Sequence, residues 1–390
     1  MATHDPTKFA SGVSAKLAAK SRHVCVFLGA GTSRACGLPD VVLLKTLVLA
    51  RLSAEDRAAL IAVSKERNLE QTLSRLRRIS ALLEGDQQLD GLTAQGAVEL
   101  DAKVCHAIVQ ELDITGKDRG PVDAFAAWAA RATYRVPVEL FTVNYDLLLE
   151  SALENRRVPY FDGFVGALEA PFHTDLVEGS QELDRSLVPA FFVRLWKLHG
   201  SVNWAWDKKR VFRMGQPVTS GLPAAIYPSD EKYDESRRIP FLVIQNRFRR
   251  ALNQAETLVL IVGYSFGDAH LNEFIFDAAS RRERSEFIVF CYSEIPALLA
   301  ERAMTTPNLQ VVHGTEAIIG GVRAGWKTPE DAPAELWNTA DARFALCDFR
   351  NLAAYLSRST DQHADMNVSV AVRADVETRP NPSGSGGANG

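Results

Sequence analysis

The sequence predicts an α/β protein: a doubly wound, mostly parallel sheet with a helical insertion. Short runs rich in Val, Ile, Leu and Phe recur along the chain, near-continuously apolar, as suits strands buried on both faces. Segments of helical periodicity separate these runs, and strand–helix alternation of this kind belongs to doubly wound sheets. One long stretch between the first and second runs is rich in helix formers and has no strand signal.

In chain order the strand candidates are Val24–Leu28, Val138–Val143, Val193–Leu198, Leu258–Val262, Phe287–Phe290 and Leu309–Val312. After the second, Tyr145, Leu148, Leu149, Ala152 and Leu153 share one helical face. Before the fourth, Phe241, Ile244, Phe248, Ala251, Leu252 and Ala255 share another. The clearest helices between the first two strands are Leu69–Ile79 and Val98–Leu112, read as part of an insertion over about 45–135. The basic run Arg75, Arg77 and Arg78 is expected on a solvated helix face rather than in a binding patch. Residues 1–360 form the expected domain; 361–390, Pro/Gly/Ser-rich from Thr378 on, read as a disordered tail.

Composition removes several function classes. Lys plus Arg number 44 against 48 Asp plus Glu, a formal charge of −4, which gives no footprint for nucleic acid or an anionic membrane. No apolar run is long enough for a transmembrane helix. Met1–Pro6 lacks the basic-then-apolar pattern of a signal peptide, so a cytoplasmic protein is expected. The five cysteines (Cys25, Cys36, Cys105, Cys291, Cys347) are scattered and never spaced C-x-x-C, which argues against a disulfide framework and a Cys₄ zinc site.

Chemistry gathers at strand ends. The first strand runs into Gly29-Ala30-Gly31-Thr-Ser33 and on to Gly37-Leu-Pro-Asp40. Glycines there allow backbone N–H groups to approach a phosphate at a helix N-terminus, although a tight turn needs the same residues. The dinucleotide fingerprint G-x-G-x-x-G fails at Arg34, and a P-loop fails at Arg34-Ala35. The second strand ends in Thr142-Val-Asn144-Tyr-Asp146, the third in Leu198-His199-Gly200 and the fourth in Gly263-Tyr-Ser265-Phe-Gly-Asp268. Ligands of open α/β sheets collect at the carboxyl ends of strands, so these groups face one crevice. Each alone reads as a helix cap or a structural histidine; four consecutive ends are hard to explain as four independent caps.

Taken together, Gly-Ala-Gly-x-Ser with Gly-x-Pro-Asp (29–40), Thr-x-Asn-x-Asp (142–146), Leu-His-Gly (198–200) and Gly-Tyr-Ser-x-x-Asp (263–268) resemble the sirtuin NAD-binding core, in the same order. The resemblance implies a Rossmann-like core with NAD as substrate. It places Gly29, Ala30, Gly31 and Ser33 around the pyrophosphate and ribose. Asn144 would meet the nicotinamide ribose, His199 would act as base on a ribose hydroxyl, and Gly263 and Ser265 would lie on the phosphate or adenosine side. Thr142 belongs to the same rim, and Asp40 and Asp146 are expected to organise the loop and ribose.

Two departures redirect the activity. Val41-Val42 stands where protein-deacylating sirtuins have Phe-Arg, and residues 201–262 contain no cysteine for their zinc ribbon. What remains resembles the zinc-less sirtuin-like domains of bacterial anti-phage defence systems, which hydrolyse NAD, and no metal is expected. Cleavage of the nicotinamide–ribose bond passes through an oxocarbenium-like sugar with a leaving group already cationic, so no strong acid is required. An amide such as Asn144 offers both donor and acceptor, and a histidine of ordinary pKa, near 6.5, accepts a proton at neutral pH. Alternatives from other classes are a protein deacylase or ADP-ribosyltransferase and a non-catalytic module sensing NAD or ADP-ribose. An NAD hydrolase needs restraint, so a homo-oligomer is expected, working with a separately encoded partner such as a ring-forming ATPase or an Argonaute-like protein. The insertion is its expected contact surface.

Overall fold

A computed structural model describes residues 3–65, 67–179, 192–206, 210–219, 224–226 and 235–358; the tail expected at 361–390 lies outside them. All six predicted strands form, within a residue or two of the expected bounds: Val24–Leu28, Val138–Thr142, Val193–Lys197, Leu258–Val262, Glu286–Cys291 and Leu309–His313. They are parallel neighbours, with Tyr160–Phe161 added beyond Val193–Lys197. Beyond Leu309–His313 the sheet continues through Glu316–Ile319 and Val322–Trp326, antiparallel, and Thr3–His4, parallel to the last.

Both faces of this sheet are buried, and the residues alternate between two cores as a pleated strand requires. Val24, Val26 and Leu28 enter one core with Leu140, Leu195, Leu260 and Ile288, under the helices Pro6–Ala18, Gly120–Arg131 and Leu148–Asn155. Cys25 and Phe27 enter the other with Phe141, Trp196, Ile261 and Val289, under Glu235–Leu252, Ala269–Arg281 and Ala297–Thr305. A third core belongs to the insertion. Leu44, Val48, Leu73, Leu76, Val104 and Ile108, from the helices Val41–Arg51, Leu69–Leu82 and Ala94–Glu111, pack with Tyr145, Val202, Ala205 and Phe212. The insertion is therefore seated on the sheet's carboxyl rim. Arg75 and Arg77 are half-buried there rather than solvated: Arg75 is 3.0 Å from Asp90 and Arg77 2.9 Å from Asp101. Acidic partners on the following loop and helix draw the basic run inward.

One element has no counterpart in the sequence reading. Glu169–Pro171, Gly200–Trp206, Val211–Met214 and Ala224–Ile226 form a separate four-stranded sheet beside the main one. Among the described residues no helix is long and apolar enough to cross a membrane.

Candidate functional site

The strand register levels the rim. Val262 pairs with Leu28, Leu28 with Thr142 and Thr142 with Lys197, so Gly263, Gly29, Asn144 and His199 follow from one line across four strands. The chain turns outward in both directions between Val24–Leu28 and Leu258–Val262, the switch point where open α/β sheets bind ligands.

At that point two loops interlock through backbone. Gly29 N–H donates to Val262 O and Gly31 N–H to Gly263 O, each at 2.9 Å. A Cβ on Gly29 would fall 2.5 Å from Gly263 O, and one on Gly31 would fall 2.8 Å from Gly263 Cα. Both N–H groups are thus used inside the protein, and the glycines are needed for the loop-to-loop approach itself. Ala30 opens the short helix Ala30–Arg34 and is half-buried; Ser265 is exposed on the opposite lip. Asp40 caps the helix Val41–Arg51, its Oδ1 accepting from Leu43 N–H at 3.0 Å while its Oδ2 lies 3.1 Å from Arg34.

Asn144 is tied to the glycine loop. Its Nδ2 lies 3.1 Å from Gly29 O, 3.0 Å from Thr32 Oγ1 and 2.8 Å from Ser33 Oγ. Thr142 Oγ1 donates to Leu28 O and accepts from Asn144 N–H, which fixes the turn. Ser33 is buried and its hydroxyl donates to Asp146 Oδ2 at 2.6 Å, while Asp146 Oδ1 accepts from Leu148 N–H at 3.0 Å. Lys197, buried at the end of its strand, donates to the Asp146 and Tyr145 carbonyls and to Glu150 Oε1 at 2.9 Å. The amide donors of Asn144 are spent in this scaffold. Its Oδ1 takes no hydrogen bond among the described residues and is left as an acceptor.

His199 stands between two carboxylates. Asp268 Oδ2 is 3.1 Å from Nε2, and Glu70 Oε1 is 3.3 Å from Nδ1. The Tyr145 hydroxyl donates to the same Glu70 oxygen. Both acids sit at helix N-termini, where the macrodipole favours anions. Asp268 caps Ala269–Arg281, accepting from His270 and Leu271 N–H. Glu70 lies in the first turn of Leu69–Leu82, held in place by a capping box between Asn68 and Gln71. Burial alone would lower the His199 pKa; the hydrogen bond to Asp268 and the interactions with Glu70 outweigh it and lift the pKa to about 9. Burial pushes the two carboxyls up, and the histidine pulls both back below their ordinary values. The expectation of a histidine near 6.5, neutral at pH 7, is therefore corrected: two acids hold the imidazolium.

Glu70 and Asp268 were not among the expected site residues. Asp268 was visible as the last residue of the Gly-Tyr-Ser-x-x-Asp motif; Glu70 had no local signal beyond being an acid near a helix start. His313, at the end of Leu309–His313, hydrogen-bonds to Thr315 and Ser293 O and serves the fold. The five cysteines are buried and form no disulfide with one another, and burial lifts the Cys36 thiol in the glycine loop to about 11.

Residues 138–311, from the Asn144 strand to the last parallel strand, match the family model of the SIR2-like domain. Over that stretch the chain is similar to SIR2-like domains. Such domains use NAD, and the matched segment contains Asn144, His199 and the Gly263 loop. The glycine loop at 29–40 precedes it in sequence and meets it in space through Gly263. A comparison with curated proteins returned no similar sequence. Among the described residues, no three His, Cys, Asp or Glu side chains gather to hold a metal ion.

Proposed function

We propose that this SIR2-like domain hydrolyses NAD, converting NAD and water to nicotinamide, ADP-ribose and a proton. The supporting observation is the rim itself, where an amide oxygen without a hydrogen bond among the described residues (Asn144) and an acid-clamped histidine (His199) stand on neighbouring strand ends beside the switch point. The bond electrons leave with the cationic pyridinium ring, which becomes neutral nicotinamide, and water supplies the new C–O bond at the anomeric carbon. Asn144 Oδ1 is placed to accept from a ribose hydroxyl or that water. The proton released is taken up at His199 once the ring is neutral.

The test is purified protein with NAD, resolving nicotinamide, ADP-ribose and cyclic product by chromatography. Asn144→Ala and His199→Ala are each expected to lose about 10²–10⁴ in turnover with the fold intact. Near wild-type turnover in both variants overturns the assignment. We further propose a role in anti-phage defence as a homo-oligomer gated by a separately encoded partner, a reading supported by the resemblance and by the need to restrain an NAD hydrolase. Full, constitutive activity from a monomer, established by light scattering alongside the assay, refutes that part.

A further inference from the structure

The groups facing His199 come from every element packed around it. Asp268 and Tyr264 lie on the Gly263 side, Tyr145 follows the Asn144 strand, and Glu70 belongs to the inserted helix, with Arg77 of the same helix acting on Tyr145 behind it. Tyr264 donates to Asp268 O and Asn272 Oδ1, and Arg77 is paired with Asp101. The two carboxylates at the histidine are not equivalent. Asp268 Oδ1 is fixed by two backbone N–H groups, leaving Oδ2 for Nε2. Glu70 Oε1 is held by the Tyr145 hydroxyl, and its side chain is 26% exposed against 6% for His199. Although Glu70 Oε1 lies 3.3 Å from Nδ1, the direction of approach does not complete a hydrogen bond, and the buried Nδ1 has no hydrogen-bond partner among the described residues. A buried polar atom left in this state is costly unless something else satisfies it.

We propose that Glu70 is a positioning residue of the hydrolytic site: the insertion lends a carboxylate that holds the proton on His199 and reserves Nδ1 for a water or substrate hydroxyl. The proposal rests on the hydrolase reading and gives the insertion a part in the chemistry. With Glu70 in place His199 rests as an imidazolium and takes no proton from water at pH 7. Displacing or neutralising Glu70 releases the ring toward its neutral form, so the position of Leu69–Leu82 governs the base. Each pH unit by which the histidine pKa falls raises the neutral fraction at pH 7 about tenfold.

The experiment uses the full chain with ¹³C-labelled histidine, the His199 resonance being identified by its loss in H199Q. In wild type this resonance is expected to titrate near pH 9. In E70Q it titrates at lower pH, and the rising limb of kcat against pH for NAD cleavage moves down by the same interval. E70Q then exceeds wild type at pH 7. If E70Q does not fold, E70A carries the same measurements. An unmoved resonance overturns the proposal, as does a moved resonance with an unmoved limb. Loss of turnover at every pH with NAD binding intact also overturns it, since Glu70 would then act on the substrate itself. If wild type cleaves no NAD at any pH the hydrolase reading fails, and the resonance alone still decides whether Glu70 holds the proton.

Discussion

Replacing Gly263 with alanine tests whether the interlocked loops are a real constraint. Gly263 has φ +64°, and a Cβ there would lie 2.7 Å from Thr32 N, 2.9 Å from Gly31 Cα and 3.0 Å from Gly31 C. All three are backbone atoms, so no side chain can swing away. The left-handed conformation costs an alanine roughly 1–2 kcal/mol, and overpacking adds typically about 1–3 kcal/mol. Reduced freedom of the unfolded chain returns about 0.4–1 kcal/mol, leaving a net loss of about 1–5 kcal/mol. Gly37 is the internal control: its φ is +86°, but nothing lies within 4 Å of its Cβ position, so only the conformational cost applies. Urea unfolding of wild type, G37A and G263A should therefore show a loss for G263A at least twice that for G37A. NAD cleavage should fall with it, because separating the loops also disturbs the Gly29 carbonyl that holds Asn144. Equal losses in the two variants would refute the reasoning.

Two further outcomes follow from the buried charges. Glu139→Gln, at a fully buried carboxylate held by Arg247, His23 and Trp196, should cost about 3–5 kcal/mol in urea unfolding by stranding the Arg247 charge; a loss under about 1 kcal/mol would contradict it. His199 has a folded pKa raised to about 9 from an ordinary 6.5, so its contribution, about 3 kcal/mol, is complete below about pH 6.5 and lost as pH rises through about 9. The unfolding free-energy difference between wild type and H199Q should change across that window, and a pH-independent difference would count against the clamp.

The parallel strands were legible because a strand buried on both faces leaves an unbroken apolar run, and the chain writes six of them. The second sheet was not. Gly200 follows directly on the His199 rim and reads as a loop, and Glu169–Pro171 and Ala224–Ile226 are too short to display a period. Asn144 and His199 could be singled out because a strand end locates a side chain along the rim without tertiary information. Glu70 could not, since its contact with His199 spans the helices Ala94–Glu111 and Gly120–Arg131 and the whole Asn144 strand in sequence. The basic run was misjudged for the same reason: Asp90 and Asp101, which pair with Arg75 and Arg77, belong to elements whose packing no local pattern specifies.

The two ends of the sheet carry the same kinds of residue with opposite consequences. At the amino end Glu139 is met by Arg247 on both oxygens, by His23 and by the Trp196 indole, and His23 spends its other nitrogen on Thr257. Every group there is satisfied by the protein, and burial makes such a cluster rigid and costly to disturb. At the carboxyl end His199 also meets carboxylates, yet Nδ1 has no hydrogen bond among the described residues and the facing acid arrives on an insertion helix rather than from the sheet. A polar cluster completed by the protein fixes a fold, whereas one that the protein leaves incomplete, beside a switch point, has bonding capacity for something else. Because Tyr145 and Val202 lie in the same buried core as Leu73 and Leu76, that capacity is tied mechanically to the insertion. Anything that moves Leu69–Leu82 must move Glu70 against His199.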